Sequence, residues 1–313
     1  MEALERLPNM VRLSERVVRI LGLNPNKFTL QGTNTYLIGK GPRKVLLDTG
    51  EGIPDYIPLL KTALDKDLQG ATISRVICSH WHHDHVGGVS DVLGLLAERN
   101  LLKGSEPSGP LASLHKFPCP EHDDPETRFE DIKDQQEINV DDQTTLVALH
   151  TPGHTSDHCS FYLKEENTLF TADCVLGQGT AVFEDLSAYI KSLERQLNLV
   201  PSFKIYPGHG PVIEDGPGKI REYIKHRLDR ENQILAVLLD KDASDASLSK
   251  TNKTAKDIVS VIYAAYPASL HPAAEHQVLL HLKKLEHDGK VKRGPADEIS
   301  DATWEPSLPQ SSL

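Results

Sequence analysis

Hydrophobic positions in the first two-thirds of the chain fall into short blocks, each closed by glycine, proline or a short polar run. Blocks at 17–21, 35–38 and 45–48 read as strands, the last stopped by Thr49-Gly50. Residues 57–68 place Leu60 and Leu64 on one helical face. A strand at 75–79 runs straight into a group of histidines, and a helix is predicted at 90–99. Residues 100–134, rich in Pro, Gly, Ser and acidic side chains, are the longest stretch without periodicity and read as a functional or disordered loop. Strands resume at 145–150, 159–163, 169–172 and 203–206. A helix at 185–199 carries Leu186, Tyr189, Ile190, Leu193 and Leu197 on one stripe. Hairpin-like strands followed by strands alternating with helices indicate a layered α/β domain.

After Gly216-Pro217-Gly218 the pattern changes to three helices, at 219–239, 254–265 and 271–287, the third stopped by Gly289. Residues 240–253 form a polar linker between the first two, and Lys290-Val291-Lys292 is β-like. Three helices and a short strand resemble a small winged-helix module. The expected division is therefore 1–217, 218–305 and a disordered tail at 306–313.

Charge follows the same division. The 313 residues hold 34 Lys and Arg against 45 Asp and Glu, a net −11. Residues 218–293 hold 14 basic against 10 acidic residues, or +4, which leaves −15 elsewhere. The acidic total argues against basic patches over the whole surface but not against a local one. With 38% hydrophobic and 25% charged residues the chain can build a full core. No apolar run reaches eighteen residues, so no membrane span is expected. Four cysteines without a CxxC pair suit a reducing compartment. The first residues lack the apolar core of a secretory signal, while Arg6, Arg12, Arg16 and Arg19 leave mitochondrial import open. The expected location is intracellular, in the cytoplasm or the mitochondrial matrix.

Composition singles out histidine, with 15 residues crowded into a few stretches. His80-Trp81-His82-His83-Asp84-His85 follows a β-branched strand and has the form H-x-H-x-D-H. A sharp loop there aims alternate side chains into one cavity, where imidazoles suit Zn2+ and a carboxylate adds a hard ligand. Three more candidates sit in turns after strands: His154 in Thr151-Pro152-Gly153-His154, Asp173 in Thr171-Ala172-Asp173, and His209 in Tyr206-Pro207-Gly208-His209. Seven ligands are the supply for two metal ions.

Taken together, these motifs resemble the metallo-β-lactamase-fold hydrolases over residues 16–214. The resemblance implies an αββα sandwich in front of the winged-helix-like module. It assigns His80, His82 and His154 to one zinc and Asp84, His85 and His209 to the other, with Asp173 bridging. The nucleophile is then a hydroxide shared by the two metals, formed because coordination lowers the pKa of water towards about 7. Asp84 would also align that nucleophile. Asp48, in Leu47-Asp48-Thr49-Gly50, matches an acid that supports a ligand rather than binding metal. His158 is a candidate for the same supporting layer or for substrate contact. No GxSxG or triad pattern competes.

A closer resemblance, to the lactamase-beta-like protein 2 family, spans nearly the whole chain. It rests on residues 28–37, on 151–158, on Gly179-Thr180-Ala181-Val182-Phe183-Glu184-Asp185-Leu186, on 206–213, and on His281-Leu282-Lys283-Lys284-Leu285. It implies a zinc-dependent endoribonuclease acting on single-stranded RNA. Lys219, Arg221, Lys225, Arg227 and Arg230, with Lys283, Lys284, Lys290, Lys292 and Arg293, could hold a phosphate backbone, or could be solvated faces balanced by nearby acids. Fungal polyketide thioesterases of the metallo-β-lactamase type share the Gln31-Gly32-Thr33-Asn34-Thr35 run and the ligand pattern, and give the alternative of an acyl-thioester substrate. A non-catalytic RNA-binding role is opposed by the full ligand set. His83 is expected to face solvent, His150 to be an ordinary strand residue, and Cys174 to be a buried thiol. His115, Cys119 and His122 read as a loop without metal, and His271, His276, His281 and His287 as surface positions.

Overall fold

The strand blocks are apolar at nearly every position because their sheets are covered on both faces. In the computed structural model, which describes residues 4–102, 112–239 and 252–307, two sheets lie face to face. The first orders its strands as they occur in the chain: β1 (Met10–Arg12), β2 (Val17–Leu21), β3 (Asn34–Ile38), β4 (Arg43–Leu47), β5 (Thr72–Cys78), β6 (Ser113–Lys116) and β7 (Glu130–Asp131). β1 to β4 pair antiparallel, and β4 to β7 pair parallel. Helix α1 (Tyr56–Thr62), extended by a π turn at Ala63–Asp67, makes the crossover from β4 to β5. A single turn, α2 (His83–Val86), and α3 (Val89–Leu102) follow β5.

The second sheet runs antiparallel through β8 (Glu137–Asp141), β9 (Thr144–His150), β10 (Cys159–Leu163) and β11 (Thr168–Ala172). β12 (Lys204–Pro207) joins β11 in parallel after α4 (Leu186–Leu197). Alternate residues of a strand serve different layers. Leu37, Leu46 and Val76 pack with Leu60, Leu64 and Val92 of the helices, whereas Tyr36, Val45 and Ile77 meet Leu146, Phe161 and Phe170 between the sheets. Each such side chain contributes roughly 1.5–3 kcal/mol on burial. On the outer face of the second sheet Gln196 Nε2 of α4 donates to Ser160 Oγ at 3.0 Å. The αββα sandwich expected from the sequence is the fold observed.

Residues 100–134 are not a plain loop. They contain β6 and β7, which the hydrophobic pattern missed because β6 buries a charged residue, Lys116, at 1% exposure. Its ammonium donates to Asp157 Oδ2 at 2.8 Å and pairs with Asp123 at 2.7 Å, so a core position carries a cation. Residues 103–111 of this stretch lie outside the described residues.

The chain divides into two units, Met1–Glu184 with Ala188–Arg221, and Asp185–Ser187 with Glu222–Leu313. The Gly216-Pro217-Gly218 turn opens the continuous helix α5 (Gly216–Leu239), and the division falls shortly after it. The second unit continues with β13 (Lys253–Thr254), α6 (Ala255–Ile262), α7 (His271–His287), β14 (Val291–Arg293) and β15 (Thr303–Pro306), its strands ordered β13-β15-β14. Trp304 is fully buried among Ile258, Val278 and Leu282. Thr254 and Asp257 close a reciprocal cap on α6. Most of the expected linker and of the expected tail lies outside the described residues, and Ser307 N–H donates to Lys290 O at 2.9 Å.

Several of the basic residues for which phosphate binding and acid balance were both open are paired with acids. Lys225 meets Asp229 at 2.6 Å, Lys284 meets Glu231 and Asp288 at 2.8 Å, and Arg293 meets Glu286 at 3.5 Å. His281 is buried rather than at the surface, because it shares its side of α7 with Val278 and Leu285. Among the described residues no helix is long and apolar enough to cross a membrane.

Candidate metal centre

Each candidate ligand stands where a strand ends. β5 delivers His80 and His82, and α2 turns Asp84 and His85 back towards them. His154, Asp173 and His209 follow β9, β11 and β12 respectively. Two glycines make this crowding feasible. Gly153 has φ +127°, and a Cβ there would lie 2.3 Å from Tyr189 N. A Cβ on Gly208 would lie 2.3 Å from Asp173 Oδ1. Asn34 holds the last turn, donating from Nδ2 to Pro207 O and Gly210 O, both at 2.9 Å.

The seven side chains form two sets. In the first, His82 Nδ1 lies 3.0 Å from both His80 Nε2 and His154 Nε2, which are 3.3 Å apart. The second holds Asp84, His85, Asp173 and His209. There His209 Nε2 is 3.2 Å from Asp84 Oδ2 and from Asp173 Oδ2, and His85 Nε2 is 3.4 Å from Asp84 Oδ2 and from Asp173 Oδ1. Asp173 Oδ2 is also 3.7 Å from His154 Nε2, so this carboxylate stands between the sets.

Their electrostatics differ. Burial pulls His80 well below the ordinary imidazole range and His82 down to about 4, with neighbouring histidines adding to both shifts. In the second set burial is outweighed by carboxylates. Asp84, Asp173 and Asp48 hold His85 well above the usual range, and Asp173 lifts His209 to about 9. Burial opposes ionisation of Asp84 and Asp173, yet His85 and His209 keep both carboxyls far below the usual range.

The first set fits a cation and little else. Ser79 Oγ donates to Asp48 Oδ2 at 3.0 Å, so it accepts from His80 Nδ1 at 3.0 Å. His154 Nδ1 donates to Val182 O at 2.9 Å. Both Nε2 atoms are thereby left as acceptors, facing each other and His82 Nδ1 across 3.0–3.3 Å. In the second set His85 Nε2 and Asp173 Oδ1 are buried without a hydrogen-bond partner. Three imidazole nitrogens in one set, and imidazoles with carboxylates in the other, are the donor chemistry of two adjacent metal sites.

Comparison with known proteins agrees. The family model of the metallo-beta-lactamase superfamily matches residues 28–209, and that of the beta-lactamase associated winged helix domain matches 254–304. A Drosophila melanogaster protein named beta-lactamase-like protein 2 homolog is 42% identical over 305 residues, 96% of this chain and 98% of its own length. This chain belongs to the metallo-beta-lactamase superfamily, in its beta-lactamase-like protein 2 family. A Cryptosporiopsis protein named atrochrysone carboxyl ACP thioesterase is 37% identical, over 91% of this chain and 84% of that one. The crystal structure of a beta-lactamase domain protein from Burkholderia ambifaria shares the fold, with TM-score 0.69 at 16% identity over 96% and 95% of the two chains.

Within this metallo-beta-lactamase domain, Asp48 takes a strained left-handed conformation, φ +61°. It accepts from Ser79 N–H at 2.7 Å and from His85 Nδ1 at 2.8 Å. Asp48 thus supports His85 directly and His80 through Ser79, as a carboxylate behind metal-binding histidines does. Ser79 was not legible as part of the site, since nothing in its strand marks it. His158 is buried beside His80 and His154, with ring centroids 5.4 and 5.8 Å away, and its Nδ1 meets Thr151 Oγ1 at 2.9 Å. It backs the ligands and is absent from the cleft lining. His83 is exposed, His150 ends β9, and Cys174 is buried, all as expected. His115 contacts Ser113, and His122 stacks on Trp81 with ring centroids 3.9 Å apart.

Five of the ligands, His82, Asp84, His154, Asp173 and His209, line a cleft of about 550 Å3. One wall is the 26–30 loop, with Lys27, Phe28 and Leu30; the other includes Leu176 and Val182.

Proposed function

We propose that the chain is a dinuclear zinc hydrolase that cleaves phosphodiester bonds in single-stranded RNA. The observation that carries the reading is two ligand sets sharing Asp173 on the floor of an open cleft. When bound, divalent ions supply Lewis acidity to the substrate oxygen and lower the pKa of coordinated water towards about 7. His80, His82 and His154 would hold one ion, Asp84, His85 and His209 the other, and Asp173 both. Donors limited to imidazole and carboxylate suit zinc. Asp84, whose side chain is 22% exposed, reaches the cleft and can accept a hydrogen bond from the attacking water, fixing its direction. Asp48 and Ser79 hold the imidazole tautomers that leave Nε2 free. The pairing of Lys225, Lys284 and Arg293 with acids in the second unit supports a reading in which the substrate is recognised at the cleft.

A second reading, hydrolysis of an acyl thioester, is favoured by the apolar residues Leu30, Leu176 and Val182 in the cleft and by the name of the Cryptosporiopsis relative. The decisive experiment sets the zinc-loaded protein and Asp84→Asn against a single-stranded RNA and against S-octanoyl-N-acetylcysteamine. Cleavage of RNA by the wild type, reduced at least a thousandfold in the variant, is the expected result. Turnover of the thioester alone transfers the assignment to the second reading. Wild-type rates from Asp84→Asn overturn the metal-hydrolase reading itself.

A further inference from the structure

One wall of the cleft exposes an aromatic side chain that nothing in the reaction requires. Phe28 is 65% exposed, and Lys27 Nζ lies 4.7 Å from the centre of its ring. An exposed phenyl ring on a floppy loop would be unremarked surface. This loop is firmly built. Asn26 Oδ1 accepts from the backbone N–H of Phe28 at 2.7 Å and of Thr29 at 3.1 Å, and Asn26 bridges to Leu30. Thr29 Oγ1 donates to Asn24 O at 2.5 Å. The Asn24 side chain in turn donates to Glu51 Oε2 at 3.0 Å and accepts from Thr33 N–H at 2.9 Å. Thr33 Oγ1 meets the ligand Asp84 at 3.4 Å. The backbone at Phe28 is therefore held at a fixed place relative to the metal floor, with its exposed ring covered on one face by Lys27. The opposite wall is fixed in the same way, through the bond from His154 to Val182 O.

We propose that Phe28 and Lys27 form a nucleotide subsite, Phe28 stacking one base of a single-stranded RNA and Lys27 taking an adjacent phosphate. This rests on the RNA reading of the site and adds to it the residues that position the strand. An aromatic face is what a base needs, whatever its identity, so the subsite grips the strand without selecting sequence. The cation lies over one face of the ring, leaving the other for a base, and suits the phosphate that accompanies every base, whereas an alkyl chain itself brings no charge.

The test compares the wild type with Phe28→Ala, Phe28→Tyr and Lys27→Ala, all zinc-loaded and checked for unchanged metal content. Substrates are a single-stranded RNA and S-octanoyl-N-acetylcysteamine. Losing one stacked base raises KM for RNA about tenfold in Phe28→Ala, with a far smaller change in kcat, and Phe28→Tyr restores it. Losing one phosphate contact in Lys27→Ala flattens the salt dependence of RNA binding by about 0.7 in the logarithmic slope. Wild-type KM and salt slope in these variants, with RNA still cleaved, overturn the subsite alone. An RNA that the wild type does not cleave overturns the RNA reading and the subsite with it. A Phe28→Ala defect confined to the thioester assigns the ring to an acyl chain.

Discussion

The two ligand sets stand side by side in one cleft and share a carboxylate, yet they are built on opposite electrostatic plans. In the first set burial holds His80 and His82 below the ordinary imidazole range, and their ring nitrogens meet each other and His154 at 3.0–3.3 Å. Asp84, His85, Asp173 and His209 form a charged set in which carboxylates hold protons on the imidazoles. A cation entering the first set meets His80 and His82 already neutral, whereas one entering the second must displace at least the protons on His85 and His209. Two chemically similar sites can thus load by different rules because of the acids around them.

The shared carboxylate is the strongest test of that contrast. Asp173→Asn should lower hydrolysis at least a thousandfold and reduce zinc content, measured by mass spectrometry, at both positions. Loss from one position only would show that the sets do not share Asp173. His82→Ala and His209→Ala should each remove about one zinc per chain, and indistinguishable binding isotherms for the two variants would erase the distinction between neutral and charged sets. Next in size are the supporting residues. Ser79 touches His80 and, through Asp48, His85, so Ser79→Ala should weaken both zinc affinities, by about tenfold. Asp48→Asn should act more strongly on the charged set, which it contacts directly.

The smallest effect is a pH signature of the metal-free protein, read by thermal unfolding. His82 titrates lower in the folded chain than in the unfolded one. Its contribution to stability is present above pH 6.5 and is lost as pH falls towards about 4. His209 titrates higher in the folded chain, so its contribution is full below pH 6.5 and is lost as pH rises through about 9. Each flank should cost several degrees in Tm. His82→Ala should flatten the acid flank alone and His209→Ala the alkaline flank alone. The same flank flattened by both variants would contradict the comparison.

Most of this site was legible in the sequence because its ligands sit in short motifs at strand ends, where Pro and Gly announce a turn. What the motifs lacked was the support behind them. Ser79 is an ordinary strand serine until its hydroxyl is seen between Asp48 and His80. Lys116 hid β6 because hydrophobic patterning treats a lysine as surface, whereas here two aspartates compensate it in the core. His281 misled in the opposite direction. Its neighbours on α7 are apolar, but a lone histidine has no residue type that marks it as buried. Charge counting in the second unit left open whether the basic residues hold phosphates or are balanced by nearby acids, and Lys225, Lys284 and Arg293 are balanced by Asp229, Glu231 and Glu286.

The placement of the ligands has a mechanical consequence. His80, His82, Asp84 and His85 hang from the first sheet, and His154, Asp173 and His209 from the second. An ion held in either set would therefore act as a rivet through both halves of the sandwich, and the sheets would not part until it is released. Chelation should speed unfolding more than it loosens either sheet.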